Sequence, residues 1–321
     1  MKEEQYAPII IPTLCRYEHL KTLLSSLAKC SGAKYTDVYI GLDYPLNDSH
    51  RDGYEKIKIL LNNGTYDRAF RSLNIFERER NYGAERNINS LIDFIKQKYD
   101  RWIFSEDDNI FSPNFLDYMN KGLKIYENDP TVLAINGYRQ LPELLVNGNT
   151  IIRQNNGFSA WGFGIWRDKY DNMIEDINNG YFKSIMFNIP ALCRIKNNGW
   201  SRLKTFFELC FSKNKLPFAD YIANVYMAAK RMDVIMPVIS TVRNCGWDGT
   251  GQNCRVKDKN LIKAHMEQVI DDKSFFDFKG NPSYAYKENK RIFVKQGYSK
   301  ISVFTFIKSL MVLLLKQIIR K

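Results

Sequence analysis

The sequence predicts an α/β protein built on a mostly parallel sheet with helices on both faces. Three observations lead there. Through the first 130 residues, short apolar runs bounded by turn residues alternate with longer stretches of helical periodicity. Acidic residues recur just past the ends of those runs, at Asp43 and at the Glu106, Asp107 and Asp108 triplet. No glycine-serine linker separates this half from the next, so one domain holds both.

The elements follow in order. "APIIIPTL" reads as a short buried strand ended by proline, and "YEHLKTLLSSLAKC" as the helix after it. "DVYIGLD" is a second strand, "PLNDSHRDG" a turn-rich loop, and "YEKIKILLNN" a helix. The unit repeats with "SLNIFERE", the long helix "NYGAERNINSLIDFIKQKY" and the strand "RWIFSEDD". Beyond residue 130 the pattern turns to shorter strands and aromatic-rich loops: "TVLAINGY", then "NGFSAWGFGIWRDKYDNM", and a helix "FADYIANVYMAAKRM" leading into "DVIMPVIS". The expected organisation is one domain over 1–295, with halves of about 1–130 and 131–295, followed by a terminal helix over 296–321.

The composition is that of a folded chain: of 321 residues, 45% are hydrophobic, 26% charged and 14% aromatic. Lys and Arg outnumber Asp and Glu by 47 to 35, a net charge of +12, which points to anionic partners such as phosphates or an acidic membrane surface. Nucleic acid is not expected, because the basic residues are dispersed and match no recognition module. The six cysteines form no CxxC pair and have no histidine at zinc-ligand spacing, so a structural zinc is not expected. The opening "MKEEQYAPIIIPTL" has two acids and too short an apolar run for a signal peptide, which predicts a reducing cytoplasm. In an oxidising compartment Cys245 and Cys254 would be the pair to close a loop.

The tail "ISVFTFIKSLMVLLLKQIIRK" places Ser302, Thr305, Ser309, Lys316 and Arg320 on one narrow polar stripe of an otherwise apolar helix. Lys308 interrupts the apolar run, leaving less than the about 20 residues a spanning helix needs. An interfacial helix fits, with Lys316, Arg320 and Lys321 toward anionic headgroups; a helix packed on the domain is the alternative.

Three adjacent carboxylates raise the cost of ionising one another, so the triplet requires a compensating cation or full solvation. In a parallel sheet, ligands bind beyond the carboxyl ends of the strands, and Asp43 and the triplet both lie at such ends. A hard divalent cation, Mg²⁺ or Mn²⁺, needs only one or two carboxylates when a substrate diphosphate supplies further oxygens. A solvated loop remains the alternative for the triplet alone.

"IIIPTLCRYEHLKTLLSSL", Asp43, "NYGAERNINSLIDF" and "SEDDNIFSPNFLDYM" resemble, in content and order, the nucleotide-sugar-dependent glycosyltransferases of the GT-A fold, a Rossmann-like architecture. The opening and the "ERN" helix look like the bacterial family 2. The "EDD" form of the DXD-like metal motif, "GFGIW" and "FADYIANVYMAAKRMDVIMPVISTV" are similar to the Golgi N-acetylglucosaminyltransferase that starts complex N-glycans.

The resemblance implies roles. Thr13 and Arg16 would contact the nucleotide, Asp43 its base, and Arg86 the donor. Glu106 and Asp107 would touch ribose and donor sugar, and Asp108 would ligate Mn²⁺ or Mg²⁺. Asp220 would be the catalytic base, with an N-cap role as the alternative and Asp248 and Asp168 as substitute bases. Trp161 and Gly162, with Asp248, would line the acceptor or sugar pocket, or form a turn and core. His265, in "IKAHMEQ", reads as part of an ordinary helix and not as a metal ligand.

The activity so implied is metal-dependent, inverting transfer of a sugar from a nucleotide sugar, with a UDP-sugar, and first UDP-GlcNAc, favoured. The acceptor would be a glycan or a polyprenyl-diphosphate-linked oligosaccharide in surface polysaccharide synthesis, on the inner face of the plasma membrane. A sugar-nucleotide nucleotidyltransferase is an alternative, although "PTLCRYEH" lacks the glycine-rich loop that reaction wants. A non-catalytic carbohydrate- or nucleotide-binding protein is another.

Overall fold

The structure is a computed structural model describing residues 6–139, 150–212, 219–251, 259–272, 275–278 and 301–319. Its strands are β1 (Ile9–Thr13), β2 (Asp37–Leu42), β3 (Ser72–Glu77), β4 (Arg101–Phe104), β5 (Asn109–Phe111), β6 (Val132–Asn136), β7 (Ile151–Gln154), β8 (Phe163–Trp166), β9 (Asp233–Pro237) and β10 (Val242–Asn244). Its α-helices are α1 (Tyr17–Leu27), α2 (Arg51–Asn62), α3 (Ala84–Ile95), α4 (Phe115–Ile125), α5 (Arg167–Asn178), α6 (Tyr181–Ser184), α7 (Ile189–Asn197), α8 (Trp200–Cys210), α9 (Asp220–Lys230), α10 (Lys259–Met266) and α11 (Val303–Ile319).

Eight strands form one sheet in the order β3-β2-β1-β4-β8-β6-β9-β7, and β5 pairs with β10 in a small second sheet. The first four run parallel, as the strand-helix alternation predicts; β8 is antiparallel to both its neighbours and β7 to β9. Strands of both halves of the chain thus share one sheet.

The period-two alternation of β1 divides the core between the two faces. Ile9 and Ile11 join Leu20, Leu23 and Leu24 of α1, whereas Ile10 faces Leu91 and Ile92 of α3. Each helix contributes residues three and four apart, which is why its apolar spacing was legible.

Pro12 does not end the first strand; β1 runs on to Thr13. Pairing alternates along β1: the carbonyls of Pro8 and Ile10 accept from β4 and its extension at Ser105, while that of Thr13 accepts from Asp43 after β2. Position 12 therefore faces the β4 side, where the ladder has stopped at Phe104, and its missing N–H leaves no bond unmade. The two strands part there, and the triplet occupies the opening.

The segment from 181 to 210 forms three helices that were not evident in the sequence. The start of α7 carried a readable signal: the Asn188 side chain accepts from Ala191 N at 3.0 Å, with Pro190 in the first turn.

α11 docks through Phe306, whose ring lies 5.0 Å from Trp200 and 6.2 Å from Phe207 of α8. Gln317 also donates to the Phe211 carbonyl. The opposite face leaves Phe304, Met311, Leu315 and Ile318 exposed. Among the described residues no helix is long and apolar enough to cross a membrane. The boundary drawn at 295, the terminal cations Arg320 and Lys321, and Cys254 with its pairing lie outside the described residues.

Candidate active site

The triplet follows β4 at the carboxyl edge of the parallel strands. The Arg16 guanidinium, just before α1, forks across it: Nη1 donates to Asp108 Oδ2 at 2.6 Å and Nη2 to Asp107 Oδ1. Thr13 donates to Asp107 Oδ2 at 2.8 Å, and Asn244 donates to Asp108 Oδ1 at 2.5 Å. The compensating cation that three adjacent acids require is therefore supplied by the chain itself. Burial disfavours charge on Arg16, but Asp107 and then Asp108 outweigh it and hold the guanidinium firmly protonated.

Asn244 reaches Asp108 because β10 runs antiparallel to β5, with Asn244 opposite Asn109 and Cys245 N donating to the Asp108 carbonyl at 2.8 Å. Gly246 lies so close that a Cβ there would stand 2.1 Å from Asp108 Oδ2. A side chain at 246 would force the carboxylate off its partners.

Glu106 points elsewhere. Its Oε2 accepts from the Trp161 indole at 2.9 Å. Burial, then the charges of Asp108, Asp220 and Asp107, push its carboxyl up to about 8, with Arg16 opposing. Trp161 arrives there because β8 runs antiparallel to β4, with Phe163 opposite Phe104, so the residues before β8 meet the residues after β4. Gly162 is the turn of that entry, at φ 82° and with its carbonyl accepting from Gly137 N at 2.8 Å. It is buried, and a Cβ there would meet Val242 and Phe115.

Asp220 is the first residue of α9, yet its side chain makes no cap bond to its own helix. Its Oδ1 accepts from Ala160 N at 2.9 Å, in the segment leading to Trp161. Burial pushes its carboxyl up to about 6 against the pull of that bond and of Arg202. The capping alternative is thereby excluded, and the Asp220 carboxylate, whose Oδ2 makes no hydrogen bond among the described residues, is one of the charges that raise Glu106.

The two substitute bases fare worse. The register Arg101–Trp166 puts the far end of β8, and exposed Asp168 just beyond it, at the opposite edge of the sheet from the triplet. Asp248 accepts from His19 Nε2 at 2.9 Å and from Thr250 Oγ1 at 2.7 Å. Against a burial effect, the Thr250 and His19 bonds hold its carboxyl below the ordinary range.

Asp43 stands at the end of β2 as expected, but the main chain occupies it. Its oxygens accept from Tyr44 N at 2.9 Å, Tyr82 N at 2.7 Å and Gly83 N at 2.9 Å. Asp43 thus shapes the loop entering α3, and Oδ2, with one bond, keeps acceptor capacity. Arg86, in that helix's first turn, is exposed and stacks over the Tyr82 ring at 4.2 Å.

Several residues here were not singled out from the sequence. The Trp247 indole lies flat on the His265 imidazole, centroids 3.9 Å apart and 5° from parallel, and Trp161 meets both edge-on. Tyr138 Oη lies 3.2 Å from His265 Nδ1. Burial pushes His265 down to about 4, so its ring is neutral. Its helix is α10 as expected, but the side chain forms part of an aromatic wall beside Glu106. "GWDG" did carry a tryptophan in a glycine-flanked turn; what it packs against is a long-range fact.

Among the described residues no group of three His, Cys, Asp or Glu side chains is arranged to hold a metal ion. Asp108 keeps lone pairs beyond those used by Arg16 and Asn244, and its oxygens suit a hard cation. A divalent ion therefore fits only with Asp108 as protein ligand, phosphate and water oxygens as the rest, and Arg16 moved aside. A cavity of about 380 Å³ lies between Tyr6 and Arg167 at the other edge of the sheet and holds none of these groups.

No protein-family model and no curated protein matches this chain. Solved structures do. S. aureus TarS 1–349 in complex with UDP-GlcNAc is 18% identical, with 53% of this chain and 48% of that chain covered at a TM-score of 0.37. GalNAc-T7 with UDP, GalNAc and Mn²⁺ is 11% identical over 76% of this chain and 44% of that one, TM-score 0.42. The bifunctional glycosyltransferase WbbM is 12% identical over 72% and 39%, TM-score 0.35. This chain spans less than half of each of the three. At such identities and scores the chemistry rests on the site's own geometry.

Proposed function

We propose that this chain is a nucleotide-sugar-dependent glycosyltransferase of the inverting kind. The observation that carries the reading is Asp220: a buried second-half carboxylate that does not cap its helix, is held by Ala160 N in the segment leading to Trp161, and is raised to about 6. A general base working near neutral pH wants such a value.

Donor and acceptor would meet between Asp220 and Glu106. Glu106, steadied by Trp161, would hydrogen-bond a donor-sugar hydroxyl while the Trp161–Trp247 wall covers the apolar face of the ring. Arg16 and Thr13 would meet the nucleotide, with Arg86 over the loop that Asp43 fixes. Asp220 would take the acceptor hydroxyl's proton as that oxygen attacks the anomeric carbon opposite the diphosphate. A bound Mn²⁺ or Mg²⁺ on Asp108 would supply Lewis-acid stabilisation of the departing diphosphate. A UDP-sugar, and first UDP-GlcNAc, is the favoured donor. The exposed face of α11 fits an anionic membrane surface, which suits a lipid-linked or surface glycan acceptor.

The test is a hydrolysis screen of nucleotide sugars with Mn²⁺, Mg²⁺ or chelator. Release of nucleoside diphosphate from a UDP-sugar, lost in excess chelator and in Asp108→Asn, supports the reading. No release and no binding of any nucleotide sugar would refute it.

A further inference from the structure

The cavity of about 380 Å³ at the other edge of the sheet lies between the chain entering β1, the turn from α3 into β4, and the start of α5. Its walls are tied to one another: Ile103 N donates to the Pro8 carbonyl at 2.8 Å, and Arg167 N to the Asp100 carbonyl at 2.7 Å. β1 and β4 run from this cavity to the acidic triplet, so the two places are separate. Its volume falls in the range of small-ligand sites, about 300–1,000 Å³.

Three cations, Lys98, Arg101 and Arg167, line it against one acid, Asp100. Among the described residues none of the three hydrogen-bonds a carboxylate. Lys98 Nζ lies over the Phe94 ring at 4.4 Å, Arg167 Nη1 donates to the Lys96 carbonyl at 2.8 Å, and Arg101 comes only within 3.9 Å of Glu127 Oε1. The Arg101 side chain is as buried as that of Arg16, 21% exposed in each, yet Arg16 holds two carboxylates and Arg101 none. Carboxylates beside the lining tyrosines are committed elsewhere: Tyr6 donates to Asp117 at 2.8 Å, Tyr99 to Asp37 at 2.7 Å, and Asp37 also pairs with Arg71 at 2.6 Å. Like charges therefore gather on a preformed cavity without the anion that would relieve their repulsion.

We propose that this cavity binds a soluble phosphate monoester of about nucleotide size, its phosphate held by Arg101 and Arg167 and its organic part against Tyr6 and Tyr99. A planar guanidinium matches phosphate by bidentate bonding, and Lys98 adds charge. The volume selects an organic phosphate over the bare ion, which would leave most of the space unfilled. A soluble ligand is favoured over a lipid headgroup because none of the lining residues is an exposed large apolar side chain, whereas α11 presents several. The site does not depend on the transferase reading.

Calorimetric titration of adenosine 5′-monophosphate into the full chain tests this, with adenosine and inorganic phosphate alongside. Wild type is expected to bind the monophosphate more tightly than inorganic phosphate, and adenosine not at all. Arg101→Met and Arg167→Met should each weaken it by about tenfold or more, the scale of a lost charge-assisted bond. Arg101→Lys, which keeps charge but loses the fork, should fall between, and it serves if a methionine variant does not fold. Lys56→Met removes an exposed cation of α2 that does not line the cavity, and should leave affinity within about twofold. No binding by wild type, equal affinity in the arginine variants, or an equal loss in Lys56→Met overturns the proposal. Binding to vesicles containing phosphatidic acid, lost in Arg101→Met while the monophosphate does not bind, would place the phosphate on a lipid and also overturn it.

Discussion

The indole N–H of Trp161 donates to Glu106 Oε2 at 2.9 Å, joining the entry of β8 to the exit of β4. A half-buried carboxyl with one donor depends heavily on it, because leaving a buried acceptor unsatisfied costs about 1–3 kcal/mol. Trp161→Phe keeps the ring against Trp247 and removes only the donor. Hydrolysis of the UDP-sugar should fall by about tenfold or more, with UDP affinity unchanged. Unaltered hydrolysis would show that Glu106 does not touch the donor sugar.

Asp220→Asn separates function from stability. The folded carboxyl is raised from the ordinary value to about 6, so the folded state holds a proton the unfolded state has lost. Stability owed to this group is thus present at low pH and declines as pH rises from about 4 to 6. Asparagine avoids that loss and can still accept from Ala160, so the variant should melt higher than wild type at pH 8, by an amount on the order of a few degrees. Transfer should fall by roughly 10² or more. In wild type the rate should rise with pH through about 6, and the variant should lose that limb.

Arg16 is the cation of a buried charged cluster, and removing it leaves Asp107 and Asp108 facing each other. Arg16→Met should destabilise by about 3–5 kcal/mol in urea unfolding. Adding Asp107→Asn should recover part of the loss. A variant as stable as wild type would mean the fork does not form in solution.

Asp168 and Asp248 serve as controls. Asp168→Asn, at the far edge of the sheet, should leave transfer within about twofold, the scale of a surface substitution remote from the site. Asp248→Asn breaks the tie between His19 and the turn at Thr250, so it should lower stability without abolishing the rise with pH. If the rise vanished, the base would be Asp248.

α11 has one docked and one exposed apolar face, so truncation would uncover Trp200 and Phe207 as well as remove any membrane contact. Phe304→Ser with Ile318→Ser alters only the outer face. The pair should keep the thermal midpoint and lose binding to vesicles containing anionic lipid. Vesicle binding equal to wild type would leave α11 a purely structural helix.

The sequence by itself determined the strand-helix alternation, the faces of α1 and α3, and the placing of Asp43 and the triplet at strand ends, because each follows from periodicity over a few neighbouring residues. It also marked Asp220 and Trp161. It could not determine that Arg16 would clasp Asp107 and Asp108, that Trp161 would meet Glu106 while Asp168 went to the opposite edge, or that Trp247 would stack on His265. Those depend on the direction of β8 beside β4 and on the pairing of β10 with β5. Strand direction and partner are set by which distant segments bury one another best, and the spacing along either segment is the same whichever neighbour it finds.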